Sequence, residues 1–126
     1  MLTENEIATR VLDLCFKVHR LYGPGLFEIV YEEILCYELE KAGISFKRQI
    51  GIPVVHEAVR MEIGFRADLI VEEKVLFELK SIGAFANIHY KQVLTYLKLT
   101  DLRLGVMVNF NVSLLKDGIK RVANKL

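Results

Sequence analysis

The sequence predicts an α/β sandwich built on a mixed β-sheet. Two amphipathic helical stretches come first, three extended stretches follow, and a helix then leads into a strongly apolar strand. The segment from Val75 to Val108 reads as strand–helix–strand, and such a unit places its strands in parallel with a right-handed crossover. A chain of 126 residues, 52% of them hydrophobic, suits one domain with one core, residues 1–126.

Three stretches carry apolar residues at the three- and four-residue spacing of an amphipathic helix. The first opens at Thr3, where Glu6 completes a capping-box pattern, and ends before Gly23-Pro24-Gly25. The second runs from Glu28 to about Ala42, and the third from about Asn87 to Leu99. The apolar residues of the second and third helices are Ile29, Ile34, Leu35, Leu39, Ala42, Ile88, Val93, Leu94 and Leu97.

The predicted strands cover residues 44–55, 60–71, 74–80 and 102–110, with a further short strand near 118–122. A bend is expected at Gly51-Ile52-Pro53. The charged turn Glu72-Glu73-Lys74 lies between two β-branched-rich runs, which is typical of a hairpin. The run 102–110 is so apolar that we expect it inside the sheet.

Charged residues on this hairpin form the strongest candidate site. Side chains alternate along a strand, so Glu78 and Lys80 point to one face while Phe77 and Leu79 point to the other. On the antiparallel partner, Asp68 can lie opposite, with Cβ atoms roughly 5 Å apart. Desolvating such charges is costly unless they are paired or bind a metal. A surface ion pair is the structural alternative.

Two carboxylates and an ammonium in one patch suit phosphoryl chemistry. Mg²⁺ typically takes one or two carboxylates and keeps several waters. A bound ion can polarise a phosphoryl oxygen and activate water. Lys80 can then position or deprotonate the water, or stabilise charge that develops on phosphorus.

Polar residues on two helices extend this candidate site. Gln92 and Tyr96 are one helical turn apart and share a face, where an amide and a hydroxyl could hold a water or a phosphate. Glu28 begins a helix directly after Gly-Pro-Gly, with Tyr31 nearby on the same face. The alternatives are an exposed polar ridge for the first pair and an acid favoured by the helix dipole for Glu28.

Net charge of +1 gives the whole molecule no electrostatic attraction to nucleic acid, so any such site must be local. Lys47, Arg48 and Arg60 could form a basic rim for a phosphate backbone, or lie on solvated strand edges. Arg66 shares the Asp68 face, where it could neutralise the carboxylates or contact a phosphate.

The remaining titratable residues point to structural roles. Cys15 and Cys36 sit in apolar helical patterns and read as buried free thiols of a reducing cytoplasm. The three histidines lack the spacing of zinc ligands, although His89 lies one turn before Gln92 and could touch substrate. The sequence has neither a signal-peptide pattern nor a membrane-spanning run, so we expect a cytoplasmic protein without membrane partners.

The motif Gly25-x-x-Glu28-x-x-Tyr31 resembles the signature of the GxxExxY proteins, a bacterial and archaeal group within the PD-(D/E)XK nuclease superfamily. The resemblance covers nearly the whole chain, from the first helix to the tail at residues 116–120. Glu28 is similar to the first-helix acid often seen in that superfamily.

The remaining motifs of the resemblance follow in the superfamily's order. Asp68 matches its metal-binding aspartate, although Ala67 stands where many members have proline. Glu78-Leu79-Lys80 matches its E-x-K, and Gln92-x-x-x-Tyr96 resembles the Q-x-x-x-Y motif of the RecB-type branch.

The resemblance implies a restriction-endonuclease-like sandwich, with a central mixed sheet flanked by helices. It implies Mg²⁺ or Mn²⁺ held by Asp68, Glu78 and Glu28, and a catalytic set of Lys80, Glu78, Asp68, Gln92 and Tyr96. The expected activity is metal-dependent hydrolysis of DNA or RNA. A non-catalytic nucleic-acid-binding or adaptor module of the same fold is the alternative, and the sequence leaves a homodimer open.

Overall fold

The computed structural model describes residues 1–126, except for the side chain of residue 63. Its elements follow the predicted order, with each boundary within two residues of the expected one. They are α1 (Glu4–Tyr22), α2 (Glu28–Lys41), β1 (Phe46–His56), β2 (Val59–Val71), β3 (Val75–Lys80), α3 (Asn87–Thr100), β4 (Leu104–Asn109), a 3₁₀ turn (Leu115–Gly118) and β5 (Ile119–Ala123).

The five strands form one mixed sheet in the order β1-β2-β3-β4-β5. β3 and β4 are parallel, in register from Val75 with Leu104 to Lys80 with Asn109. The other neighbouring pairs are antiparallel. The helix α3 makes the crossover between the parallel strands, so the predicted strand–helix–strand unit is confirmed.

The sheet buries both of its faces at β3 and β4. One face packs against α1 and α2 through a cluster that includes Phe77, Leu79 and Val108. The other face packs against α3, where Leu76 and Met107 contact the helix residues Val93 and Leu97 and their neighbours. Burial on both faces explains why β4 is almost wholly apolar.

Local signals set the limits of α1 as the sequence predicted. The Thr3 side chain accepts from the Glu6 backbone, and the Glu6 side chain accepts from the Thr3 backbone. The helix ends at Gly23, whose φ of 65° lies in the left-handed region that favours glycine. Cys15 and Cys36 are both buried free thiols, as expected.

Three of the apolar residues noted in the second and third predicted helices are exposed. Ile29 retains 55% of its accessible surface and Ile88 retains 57%, while Ala42 is also exposed. The inner face of α2 follows Tyr31, Leu35 and Leu39, together with the flanking Glu32, Cys36 and Glu38. Because polar and charged residues such as Glu32 and Glu38 lie on this inner face, the apolar residues of α2 alone do not show the helical period of its buried side.

The hairpin of β1 and β2 extends beyond the part of β2 that pairs with β3. Its register shifts between Ile52 and Val54, at the bend predicted around Gly51-Ile52-Pro53. Among the residues that the structure describes, no helix has the length and apolarity needed to cross a lipid bilayer.

Candidate active site

The predicted charged cluster lies at the point where the β2–β3 ladder ends. The ladder pairs only three positions, from Val71 with Val75 to Leu69 with Phe77. Asp68 and Glu78 are the next residues on the two strands beyond the last pair, Leu69 with Phe77. Because the ladder ends here, backbone groups beside these acids can bond to side chains instead of to a partner strand.

Each acid bonds to the backbone of the opposite strand. Oδ2 of Asp68 accepts a hydrogen bond of 2.8 Å from the backbone N–H of Leu79. Oε1 of Glu78 accepts one of 3.3 Å from the backbone N–H of Asp68. Only 6% of the Glu78 surface is exposed. The structure therefore brings Asp68 and Glu78 together in a partly desolvated notch.

Burial makes both of these acids harder to ionise. Burial, followed by the negative charge of Asp68, raises the pKa of Glu78 to about 8, while the charge of Lys80 opposes this. Burial also raises the pKa of Asp68, against the hydrogen bond from Leu79, which lowers it. A cation bound beside the two acids would favour their ionised forms and so lower both pKa values.

Lys80 supplies the positive charge of this cluster. Its Nζ lies 3.9 Å from Oε2 of Glu78, at the outer limit of an ion pair. The lysine side chain is 29% exposed, whereas that of Glu78 is 8% exposed. The ammonium thus lies between the buried acids and solvent, where it can contact both an acid and an incoming ligand.

The helix α3 brings Tyr96 into the same environment. The Tyr96 ring stacks on Phe65 with centroids 3.6 Å apart and planes 6° from parallel. Burial, then the charges of Glu78 and Asp68, raises the pKa of the Tyr96 hydroxyl. Gln92, one turn earlier, is exposed, and its amide makes no hydrogen bond to any residue that the structure describes.

The helix α2 approaches Asp68 from the other side of the sheet. Glu28 and Asp68 both line a cavity of about 190 Å³, together with Glu32, Gln49 and other residues. Oε2 of Glu28 lies 3.4 Å from the backbone N of Ser81, directly after Lys80. The predicted third acid thus faces the same small cavity as Asp68.

The Gly25-x-x-Glu28-x-x-Tyr31 motif sets the start of α2. Gly25 has φ of 105°, which favours glycine. The Tyr31 hydroxyl donates to the carbonyl of Gly23 at 2.5 Å and accepts from the N–H of Leu26 at 3.2 Å. Its ring stacks on Phe110 at 4.3 Å. Tyr31 therefore fixes the loop that aims Glu28 at the cavity.

A model of the PD-(D/E)XK nuclease superfamily matches residues 5–122, which is most of the chain. The chain belongs to this superfamily. Comparisons with curated proteins and with solved structures find no match. The superfamily match confirms the restriction-endonuclease-like sandwich, with its mixed sheet flanked by helices. The narrower resemblance to the GxxExxY group and the RecB-type branch rests on the sequence motifs.

The PD-(D/E)XK donor set fits the divalent metals, such as Mg²⁺, that these nucleases generally use. Hard cations prefer carboxylate oxygens, and Mg²⁺ needs only one or two of them beside its waters. Asp68 and Glu78 place two carboxylates side by side at the end of the β2–β3 ladder, which is a donor set of this kind. Among the described side chains, no group of three or more His, Cys, Asp or Glu is close enough to hold an ion alone.

Two residues that contact the candidate site were not predicted from the sequence. Glu32 is only 3% exposed, and Gln49 donates hydrogen bonds to both Glu32 and Asp68. Glu32 lies one turn after Glu28, a spacing that could have revealed it. The role of Gln49 carried no sequence signal, because it depends on an irregular backbone conformation in β1.

The basic rim predicted from the sequence is partly neutralised by ion pairs. Arg48 pairs with Glu32 at 2.6 Å and with Glu33 at 2.8 Å. Arg60 pairs with its neighbour Glu62 at 2.9 Å. Lys47 and Arg66 are exposed. The charge of Arg48 is therefore directed at α2 rather than at a phosphate backbone.

Two histidines make structural contacts. Nε2 of His19 lies 2.8 Å from the carbonyl of Val112 and so carries the donated proton. Nδ1 of His89 accepts from the backbone N–H of Ala86 at 2.9 Å, at the start of α3. Contact of His89 with a substrate stays a prediction.

Proposed function

We propose that this chain is a metal-dependent phosphodiesterase that hydrolyses DNA or RNA. The observation that carries the proposal is the meeting of the buried Glu78 and the partly buried Asp68 with the ammonium of Lys80 at the end of one ladder. Membership of a nuclease superfamily supports a nucleic acid as substrate.

Asp68 and Glu78 are the proposed ligands of Mg²⁺ or Mn²⁺. Their backbone hydrogen bonds hold each carboxylate against the opposite strand, so little reorganisation is needed on binding. When bound, the ion would polarise the phosphoryl group and lower the pKa of a water. Burial of Glu78 excludes bulk water from the donor set and strengthens its electrostatic interactions.

Lys80 is the proposed partner of the attacking water. Its ammonium is within 3.9 Å of Glu78 and is partly open to solvent, so it can reach a water or a phosphate oxygen held beside the acids. A fixed positive charge there stabilises negative charge that develops on phosphorus. This role requires a charged or hydrogen-bonding group at residue 80, which an alanine lacks.

Three further residues complete the proposed set. Glu28 is placed to add a carboxylate across the small cavity it shares with Asp68. Tyr96 presents its hydroxyl from α3 beside the acids, and Gln92 presents a free amide one turn away. We propose that these two groups hold the phosphate or its waters from the α3 side.

Cleavage assays on labelled DNA and RNA test this proposal. With Mg²⁺ or Mn²⁺ the wild-type chain should nick or trim at least one class of substrate, and chelation should stop it. Lys80→Ala should lose at least about a hundredfold in rate, in line with the loss of one charge-stabilising group. Lys116→Ala, which removes an exposed lysine from the 3₁₀ turn, should retain wild-type activity.

The contrary result would be wild-type and Lys80→Ala proteins that are equally inert on the full substrate panel. That outcome, combined with retained binding of nucleic acid, would instead support the adaptor alternative. Unfolding curves of each variant should accompany the assays, so that loss of activity is separated from loss of fold.

A further inference from the structure

Gln49 adopts an unusual backbone conformation at the centre of β1. Its φ is 51°, in the left-handed region that a non-glycine residue in a strand seldom occupies. The neighbouring positions are paired normally, Arg48 with Leu69 and Ile50 with Ala67. Gln49 therefore lies opposite Asp68, flanked on each side by regular ladder pairs.

The Gln49 amide joins two acids. Its Nε2 donates to Oε1 of Glu32 at 2.6 Å and lies 3.4 Å from Oδ1 of Asp68. The second oxygen of Asp68 accepts from the backbone of Leu79 at 2.8 Å. The two carboxylate oxygens of Asp68 are thus held from opposite sides, one by β1 and one by β3.

Glu32, the acid to which the Gln49 amide donates, is held in place by Arg48. Oε2 of Glu32 accepts from Arg48 through Nε at 3.2 Å and through Nη2 at 2.6 Å. Arg48 also bonds to Glu33 on the same helix at 2.8 Å. The amide of Gln49 is therefore anchored to α2 through a nearly buried carboxylate.

The backbone conformation of Gln49 is not explained by packing. The residue is exposed, so burial of its side chain contributes little to the fold. A non-glycine residue in the left-handed region is strained, and such strain recurs at functional sites. The side-chain hydrogen bonds that this conformation makes are those to Glu32 and Asp68, and its carbonyl accepts one of 3.5 Å from Nη1 of Arg66.

We propose that Gln49 is a positioning residue that orients the Asp68 carboxylate for a divalent cation. The inference rests on the proposed function. The neutral amide is suited to the position between Glu32 and Asp68, because it can bond to both carboxylates and separates their like charges. Without the amide, Oδ1 of Asp68 loses its side-chain donor and Glu32 loses one of its anchors.

Mn²⁺ binding measured by calorimetry, with unfolding temperatures measured alongside, tests the proposal. Gln49→Gly relieves the strain but also removes the hydrogen bond to Glu32, and these effects oppose each other, so the unfolding temperature should stay near that of wild type while Mn²⁺ binding weakens roughly tenfold or more. Gln49→Met keeps the length of the side chain without its donor, and should weaken binding similarly. Glu57→Gly is the matched control, since Glu57 has φ of 52° in the β1–β2 turn. It should raise the unfolding temperature and leave the Kd for Mn²⁺ unchanged.

The outcomes separate this inference from the proposed function. Wild-type protein that binds Mn²⁺, with unchanged affinity in both Gln49 variants, would overturn the positioning role alone. A wild-type chain that does not bind Mn²⁺ would overturn the proposed metal chemistry and the inference together. Weakened binding in both Gln49 variants, with normal binding in Glu57→Gly, would support both.

Discussion

Oδ2 of Asp68 accepts a 2.8 Å hydrogen bond from the backbone N–H of Leu79, the residue directly after Glu78. This bond takes the place of a ladder hydrogen bond where β2 and β3 cease to pair. The end of the ladder is thus stabilised by a side chain that we also propose as a metal ligand. Fold and proposed chemistry therefore depend on the same carboxylate.

Replacing Glu78 should change how stability depends on pH. Its pKa is about 8 in the folded chain, against an ordinary value of 4.5, because of burial and the charge of Asp68. Between those values the folded state binds more protons than the unfolded state, so stability falls as pH rises. Glu78→Gln stays neutral and should unfold several degrees above wild type at pH 8 in a chelating buffer, with little difference below pH 5.

Thermal unfolding at several pH values measures this effect. Glu40→Gln, which changes an exposed acid on α2, serves as a control and should follow the wild-type pH dependence. A wild-type protein that gains stability relative to Glu78→Gln between pH 5 and pH 8 would contradict the account of the acid pair.

Removing the Tyr31 hydroxyl should loosen the loop before α2. Tyr31→Phe keeps the stack on Phe110 but leaves the carbonyl of Gly23 and the N–H of Leu26 without this partner. We expect a loss of about 1–2 kcal/mol in the free energy of unfolding. Denaturant titration measures it. Tyr37→Phe removes a hydroxyl from a residue that is 63% exposed, and should be neutral; equal losses in the two variants would argue against the hydroxyl's role.

Adding a methyl group at Gly105 should disturb the packing of α3. A Cβ there would lie 2.7 Å from Cγ1 of Val93, a buried and stiff side chain. Gly105→Ala should therefore destabilise the fold by about 1–3 kcal/mol. Because α3 carries Tyr96, cleavage should also slow at temperatures where the variant is folded.

The comparison for Gly105 is Gly83, where an added Cβ meets nothing within 4 Å. Gly83→Ala should unfold within about 0.5 kcal/mol of wild type, as surface substitutions usually do. A Gly105→Ala variant as stable as wild type would contradict the prediction, because it would mean that α3 can shift away from β4 at little cost in free energy.

The sequence predicted the elements and the central acids because these depend on regular periods. Alternation along β3 placed Glu78 and Lys80 on one face, and the hairpin turn brought Asp68 opposite. The apolar run of β4 marked a strand buried on both faces, and Gly23 marked the end of α1. Each of these patterns depends on neighbouring residues alone, and the folded structure keeps the local conformation that each pattern predicts.

Other features could not be predicted from the sequence, because tertiary contacts override the usual burial or backbone conformation of the residue type. Ile29 matched an apolar helix position but is exposed, whereas the charged Glu32 is buried by pairing with Arg48. Gln49 reaches Asp68 only through a left-handed backbone that its residue type does not favour. Ion pairing and backbone strain carry no periodic signal.

A crystal structure of the protein with Mn²⁺ would test the central claim most directly. The account predicts an ion bound by one carboxylate oxygen each from Asp68 and Glu78, at roughly 2.0–2.6 Å, the range of oxygen ligands for hard divalent cations. An ion bound elsewhere on the molecule, with those two carboxylates left uncoordinated at saturating Mn²⁺, would contradict it.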